Sequence, residues 1–266
     1  MVADVVILCG GRGIRMLEET EIRPKPMVEI GGKPILWHIM KYYASYGFKR
    51  FILALGYKGE VIKHYFHDGR ASDSDVSITA NPHAAPSAES NARELEWEIA
   101  CVDTGIANLK GSRLKQLEPH VTGDRFHLTY GDGLSTIDLR ALDAFHHHHG
   151  AIGTVTAVHP PSRFGELSLE GDQVTRFEEK SQLATGFING GFFVFNRRIF
   201  EYLTRDPGCD FEFGALQRLA ADGQLRAFRH EGFWQCMDTV RERDYLNELA
   251  ASQKAEWKLW EKACHA

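Results

Sequence analysis

The chain has 266 residues, of which 43% are hydrophobic and 25% charged, with a formal net charge of -5 and a pI near 6.2. That size and composition suit one large globular α/β domain, with or without a small appendage, able to bury a substantial core. The charge gives no sign of a polyanion-binding surface, so any phosphate is expected to be held by a few placed cations and backbone amides.

The five cysteines (Cys9, Cys101, Cys209, Cys236 and Cys264) are odd in number, widely spaced and free of any Cys-x-x-Cys pair. This argues against a disulfide framework and a zinc cluster, and it fits the reducing cytoplasm. The opening Met-Val-Ala-Asp carries no basic stretch ahead of an apolar one, so no secretory signal is expected. No apolar run approaches the ~18 residues of a membrane helix.

The first predicted element is Val5-Val6-Ile7-Leu8-Cys9, a continuous apolar run that reads as a strand buried on both faces. A helical pattern follows at Ile35, Leu36, Ile39, Met40 and Tyr43. A second strand is predicted over 51–55, a helix near 58–66 and a third strand over 76–80. This β-α-β-α-β alternation predicts a doubly wound, mostly parallel sheet flanked by helices. Residues 81–94, polar, small and Pro-containing, read as a mobile loop. Strands are then expected at 97–102 and 126–130, with a helix near 138–148. His146 to His149 read either as a weak i, i+3 metal pair or, by the preference of helix C-termini for His and Gly, as a solvated helix end before Gly150. Further strands are expected at 152–158, 173–178 and 188–195, and helices at 197–203, 212–221 and 239–250. Trp257 and Trp260, three apart in the tail, suggest docking on the body or on another subunit.

Chemistry is concentrated in four places. Gly10-Gly11-Arg12-Gly13-Ile14-Arg15 follows the first strand, where glycines let backbone amides approach an anion and Arg15 offers a fork for two phosphate oxygens. The segment lacks the Gly-Lys-Ser/Thr of a P-loop and the glycine spacing of the dinucleotide fingerprint. In Arg23-Pro24-Lys25-Pro26-Met27 two prolines stiffen the backbone around Lys25, which suits a lysine that neutralises charge in a transition state. Asp132, between Gly131 and Gly133, follows a predicted strand, at the end where open α/β sheets bind ligands. With Asp238 it forms a candidate carboxylate pair for a magnesium ion bound to phosphates. Around 178–191, Glu179 is suited to accept hydrogen bonds from hydroxyls and Lys180 to hold a phosphate. Gly190 and Gly191 would permit close approach of a ligand ring. Each segment also has a plainer reading. The glycine loop and Asp132 could be tight-turn features, Lys25 a surface lysine, and 178–191 a charged strand end with a bulge. Asp238 could be the N-cap of a helix starting at 239.

Together these motifs resemble the sugar-1-phosphate nucleotidyltransferases, and most closely their glucose-1-phosphate cytidylyltransferase branch. The resemblance is carried by 10–15, by Arg23 through Met40, by Asp103-Thr104-Gly105, Tyr130-Gly131-Asp132-Gly133, Arg163-Phe164-Gly165 and Asn189-Gly190-Gly191-Phe192-Phe193, and by Gly232-Phe233-Trp234-Gln235 with Met237-Asp238-Thr239. It implies a Rossmann-like nucleotidyltransferase domain over 1–250 and a helical tail over 251–266. It implies nucleotidyl transfer, with CTP and α-D-glucose 1-phosphate giving CDP-glucose and pyrophosphate, using Mg²⁺ in a cytoplasmic homo-oligomer. In that scheme Gly10, Gly11, Gly13 and Arg15 bind the triphosphate, Lys25 stabilises the attacked α-phosphate, and Asp132 and Asp238 hold the metal. Gly131, Glu179, Lys180, Asn189 and Gly191 bind the sugar phosphate. Asp103, Thr104, Gly105, Gly111 and Arg113 match the region near the base.

The chain departs from the family pattern at several positions. Ile14 stands in place of Thr, Cys9 of Ala, Lys110 and Ser112 of Thr and Gly, and Ser181 and Cys236 of Pro. Its 210–215 segment lacks the expected Trp but retains Glu212. No cation or metal ligand is lost, and several departures lie where base or sugar would be chosen. The same chemistry with GTP, UTP or dTTP, or with another hexose or heptose 1-phosphate, is the first alternative. A non-catalytic nucleotide-sugar-sensing subunit is the second; loss of Arg15, Lys25, Asp132 or Asp238 would mark it, and all four are present.

Overall fold

The computed structural model describes residues 3–67, 76–79, 97–160, 166–178 and 186–262. The expected loop at 81–94 lies outside them. Asp4–Leu8 forms the central strand, buried along its whole length. It pairs in parallel with Arg50–Leu55 on one side and Arg125–Tyr130 on the other. The sheet continues outward from Arg50–Leu55 through parallel Glu98–Asp103 to antiparallel Val76–Thr79. On the other side Phe193–Asn196 and Gly153–Val158 add antiparallel strands, and Leu225–His230 closes the edge in parallel with Gly153–Val158. With Ile188–Asn189 antiparallel to Gly153–Val158, nine strands among the described residues make a mixed sheet with a parallel centre, as the alternation of motifs predicts.

Strand periodicity divides the core into two. Val5, Ile7, Phe51, Leu53 and Ile99 face the helix Ile35–Ser45. Val6, Leu8, Ile52, Ala54 and Val102 face Leu114, Phe211 and Leu219 on the opposite side. The central strand therefore has no polar face to spare, which is why its sequence shows an unbroken apolar run rather than alternation.

Four elements differ from expectation. The strand expected over 188–195 is two pieces, Ile188–Asn189 and Phe193–Asn196. The break falls where Gly191 and Phe192 both adopt positive φ, +72° and +46°. It lets the first piece pair with the end of Gly153–Val158 and the second cross to Arg125–Tyr130. Leu225–His230 carries too few apolar residues to announce itself, being an exposed edge. The helix Lys110–Gln116 is short and opens at Leu109, a poor cap. The 212–221 helix begins instead as a π-helix over Phe211–Leu216 before tightening to α over Gln217–Ala221.

The helix Leu139–His149 is capped by Asp138 and ended by Gly150 in the left-handed conformation. Its histidine run is only partly solvated: His146 is buried and, like His149, is hydrogen-bonded to Thr154 Oγ1, at 2.8 and 2.7 Å. The helix Val240–Ala251 is capped by Thr239, whose side chain and Glu242 form a reciprocal capping box, so Asp238 is not spent on capping. Trp257 is fully buried in the first core. It stacks on Phe233 and donates to His38 Nδ1 at 3.4 Å, while His38 Nε2 donates to Ile30 O at 2.7 Å. Burial lowers the His38 pKa to about 4, so the ring is neutral and can both donate and accept.

Replacing Trp257 with Ala should cost ~3–5 kcal/mol in urea unfolding, the range for a large buried aromatic. Thr239→Ala should cost about 1 kcal/mol through the lost cap, with activity at low temperature retained.

Candidate active site

The carboxyl ends of Asp4–Leu8 and Arg125–Tyr130 lie side by side, Leu8 opposite Tyr130. From the first springs the glycine loop, from the second Gly131-Asp132. A short antiparallel pairing of Gly133–Ser135 with Trp234–Cys236 then fastens two distant stretches together. Met237 N donates to Asp132 O at 2.8 Å. Asp132 and Asp238 are thereby set next to each other, although 106 residues apart in sequence (238 minus 132). Glu242 holds the Asp238 backbone N–H at 2.7 Å.

Lys25 stands between the two carboxylates. It lies in a single turn of 3-10 helix, Lys25–Met27, opened by Pro24 with Pro26 inside it, so its backbone is stiff. Its Nζ is 2.6 Å from Asp132 Oδ2 and 2.5 Å from Asp238 Oδ1, and only 10% of the side chain is exposed. Arg15 Nη1 reaches the other Asp238 oxygen at 2.8 Å, with 67% of its side chain exposed to the cleft and solvent. Burial lowers the Lys25 pKa, but the charges and hydrogen bonds of Asp132 and Asp238 outweigh it and hold the ammonium above its ordinary value. Burial likewise pushes the Asp238 carboxyl up, and Lys25 and Arg15 more than reverse this, holding it below the usual range.

Arg113 supports the loop from beneath. Its guanidinium is buried and donates to Leu55 O at 3.1 Å, Thr104 Oγ1 at 2.8 Å and Ile106 O at 3.2 Å. A Cβ on Gly10 would lie 2.2 Å from Arg113 Nη1, and one on Gly56 2.3 Å. Glycine at both positions is the condition for the cation to reach the cleft. Burial lowers its pKa, opposed by the charge of Asp103. Its hydrogen-bond partners are carbonyl and hydroxyl oxygens, so its charge is offset only by that of Asp103 among the groups acting on it.

These groups line one cleft of about 1240 Å³, above the ~300–1,000 Å³ of an ordinary small-molecule pocket and roomy enough for two substrates together. Gly10, Gly11, Gly13, Arg15, Lys25, Arg113, Gly131, Asp132, Asn189 and Asp238 all border it. Thr104 stands behind, buried, with its hydroxyl on Leu55 O and Arg113. Asp103 accepts from Gly105 N, Gly111 packs on Cys209 O, and Gly191 donates to Asn189 Oδ1. Those five residues shape the wall rather than line it. Glu179 and Lys180 lie outside the described residues, as does Arg163-Phe164-Gly165.

Tyr130, Lys110 and Glu212 are among the lining side chains that sequence reasoning left without a role. Glu242 was also missed, although Thr-x-x-Glu at 239–242 is a readable capping box. Among the described residues no group of three or more His, Cys, Asp or Glu gathers at one point. The converging donors are the oxygens of Asp132 and Asp238, the hard ligands that a magnesium ion bound to phosphates takes in ones or twos. They already share a cation in Lys25, so the pair fits such an ion.

Comparison with known proteins agrees with this geometry. The family model described as Nucleotidyl transferase matches residues 4–252. A Salmonella typhi protein named glucose-1-phosphate cytidylyltransferase is 47% identical over 259 residues, covering 96% of this chain and 99% of its own. Its counterpart of the same name from Salmonella typhimurium strain LT2 matches equally, at 47% over the same shares of both chains. A UTP-bound UGPase structure from Acinetobacter baumannii superposes with a TM-score of 0.69 at 14% identity, covering 99% of this chain and 98% of that one; it is similar in fold. The chain belongs to the nucleotidyl transferase family.

Proposed function

We propose that the protein transfers a cytidylyl group from CTP to α-D-glucose 1-phosphate, forming CDP-glucose and pyrophosphate. The observation that carries this reading is the convergence of Lys25, Arg15, Asp132 and Asp238 beside the glycine loop. It stands in a chain 47% identical, almost end to end, to proteins named for that reaction.

The chemistry suits these residues. A phosphate oxygen of the sugar 1-phosphate attacks the α-phosphorus of CTP. As that P–O bond forms, the bond from the α-phosphorus to the β-phosphate oxygen breaks and pyrophosphate leaves with the electron pair. The attacking oxygen is already anionic, so no general base is required. What the reaction demands is that two polyanions be brought together and that charge on the leaving group be neutralised. The loop amides and Arg15 receive the triphosphate. Lys25, presented from a stiff turn, faces the α-phosphate. Asp132 and Asp238 would hold Mg²⁺, which when bound neutralises and orients the triphosphate. Gly131, Asn189 and Gly191, with Glu179 and Lys180, form the sugar-phosphate side of the proposal. Asp103, Thr104, Gly105, Gly111 and Arg113 form the base side.

The reading carries with it a cytoplasmic homo-oligomer whose body spans 1–250 and whose tail spans 251–266. The four described cysteines are free thiols, which suits a reducing compartment. No helix among the described residues is long and apolar enough to cross a membrane.

Pyrophosphate release, measured with Mg²⁺, α-D-glucose 1-phosphate and CTP, UTP, dTTP, GTP or ATP in turn, should be strong with CTP. A stronger signal with another triphosphate would overturn the choice of base. Asp132→Asn and Lys25→Ala should each lower turnover at least ~100-fold, the scale for an electrostatic contact made in the transition state; near-normal rates would remove the assigned role. Asp238 also links the site to pH. Its carboxyl is held below the ordinary range, so it stabilises the folded state above the unfolded pKa of ~3.9 and loses that contribution as pH falls through the lower folded value. As pH falls below about 5 the wild type should therefore lose stability more steeply than Asp238→Asn, as followed by urea unfolding.

A further inference from the structure

The cleft holds a second charged group that plays no part in the reaction as written. Glu212 projects from the π-helix Phe211–Leu216, a wide helical turn of the kind that is frequent at functional sites. On one side of it Phe211 is fully buried in the second core, and on the other Phe213 is 80% exposed. The anchored neighbour fixes the direction of the turn. Asp210 opens the turn by accepting from Phe213 N at 2.7 Å.

The Glu212 carboxylate is held at one oxygen only. Lys110 Nζ donates to Oε1, and Tyr130 OH donates to the same oxygen at 2.9 Å. The Lys110 ammonium also lies 5.0 Å from the centre of the Tyr130 ring. Asn189 Nδ2 in turn donates to Tyr130 OH at 3.1 Å. Oε2 has no hydrogen-bond partner among the described residues, and Glu212 borders the cleft. Four side chains from four separate elements thus cooperate to orient one carboxylate oxygen toward the ligand space.

The chemistry of that oxygen narrows what it can receive. An ionised carboxylate accepts hydrogen bonds and donates none, so it repels phosphate and suits a hydroxyl. Lys110 neutralises the charge, which allows the carboxylate to sit beside two polyanions. Its chain of contacts leads through Tyr130 to Asn189, which the proposed reading puts on the sugar side of the cleft. We propose that Glu212 is a specificity-determining residue that accepts a hydroxyl of the sugar 1-phosphate, with Lys110 and Tyr130 as its positioning residues. This rests on the nucleotidyl-transfer reading. It adds to that reading a contact supported by Lys110, where the family pattern has Thr.

The test is steady-state kinetics with CTP and α-D-glucose 1-phosphate, together with the analogues lacking the hydroxyl at C2, C3, C4 or C6, and with dCTP replacing CTP. A hydrogen bond to a charged group is worth a factor of ~10 to ~100. Glu212→Gln should raise KM for glucose 1-phosphate ~10-fold or more and leave KM for CTP within ~2-fold. One deoxy analogue that the wild type uses ~10-fold less well than the parent should be used by Glu212→Gln as well as the parent. Lys110→Met should weaken discrimination at that same hydroxyl, and adding it to Glu212→Gln should bring no further loss. A merely structural role would not move the preference among analogues. The proposal is overturned if every analogue ratio is unchanged in Glu212→Gln, or if the change falls on CTP against dCTP, which would place the carboxylate on the ribose. Silence of the wild type with every triphosphate and sugar phosphate would instead overturn the parent reading, and this one with it.

Discussion

Two carboxylates held one ammonium apart repel each other, and in this protein Lys25 is what makes their closeness tolerable. Its Nζ lies within 2.6 Å of both Asp132 and Asp238, and much of the surrounding architecture serves to bring those three together. The parallel centre of the sheet delivers Gly131-Asp132 beside the glycine loop. The pairing of Gly133–Ser135 with Trp234–Cys236 brings Asp238 alongside. The proline-flanked turn presents Lys25. Each would be a marginal arrangement alone, because burying one charge without its partners is costly. Together they form a site with cations and anions in near balance, ready to exchange internal partners for those of a ligand.

The same economy extends to the second layer. Thr104 orients Arg113, Glu242 fixes the backbone of Asp238, and Trp234 Nε1 donates to Gly190 O at 2.7 Å where the strand breaks. None of these groups needs to touch substrate. They hold the side chains that line the cleft within the narrow tolerance that positioning and electrostatic catalysis require.

Much of this was legible in the sequence, and for identifiable reasons. The central strand announces itself because both of its faces are apolar. Lys25 is marked by its prolines and Asp132 by its flanking glycines and preceding strand. The convergence on Lys25 was not legible, since it depends on side chains 107 and 213 positions away. Asp238 was ambiguous because an aspartate before a helix is a good cap; the geometry shows Thr239 taking that role. Leu225–His230 escaped notice because an exposed edge strand needs few apolar residues. Tyr130, Lys110 and Glu212 escaped because a side-chain network between distant segments has no local period. The departure at Lys110 was visible, but its partner Glu212 was visible only as a retained residue in an altered stretch.

Trp257 has a consequence for how the molecule is made. It fills the same core as Val5 and Ile7, which lie far from it in sequence. During synthesis the central strand and the lysine turn leave the ribosome well before Asp238 and the tryptophan that closes the core, with 213 positions between Lys25 and Asp238. Until then the nascent chain carries Lys25 and Asp132 without their third member, and His38 and Phe233 without their aromatic cover. Exposed apolar surface of this kind invites chaperone binding or aggregation. The reach of Trp257 back to the helix Ile35–Ser45 therefore makes the completion of the core and the completion of the Lys25, Asp132 and Asp238 charge cluster nearly the same event in the life of the polypeptide.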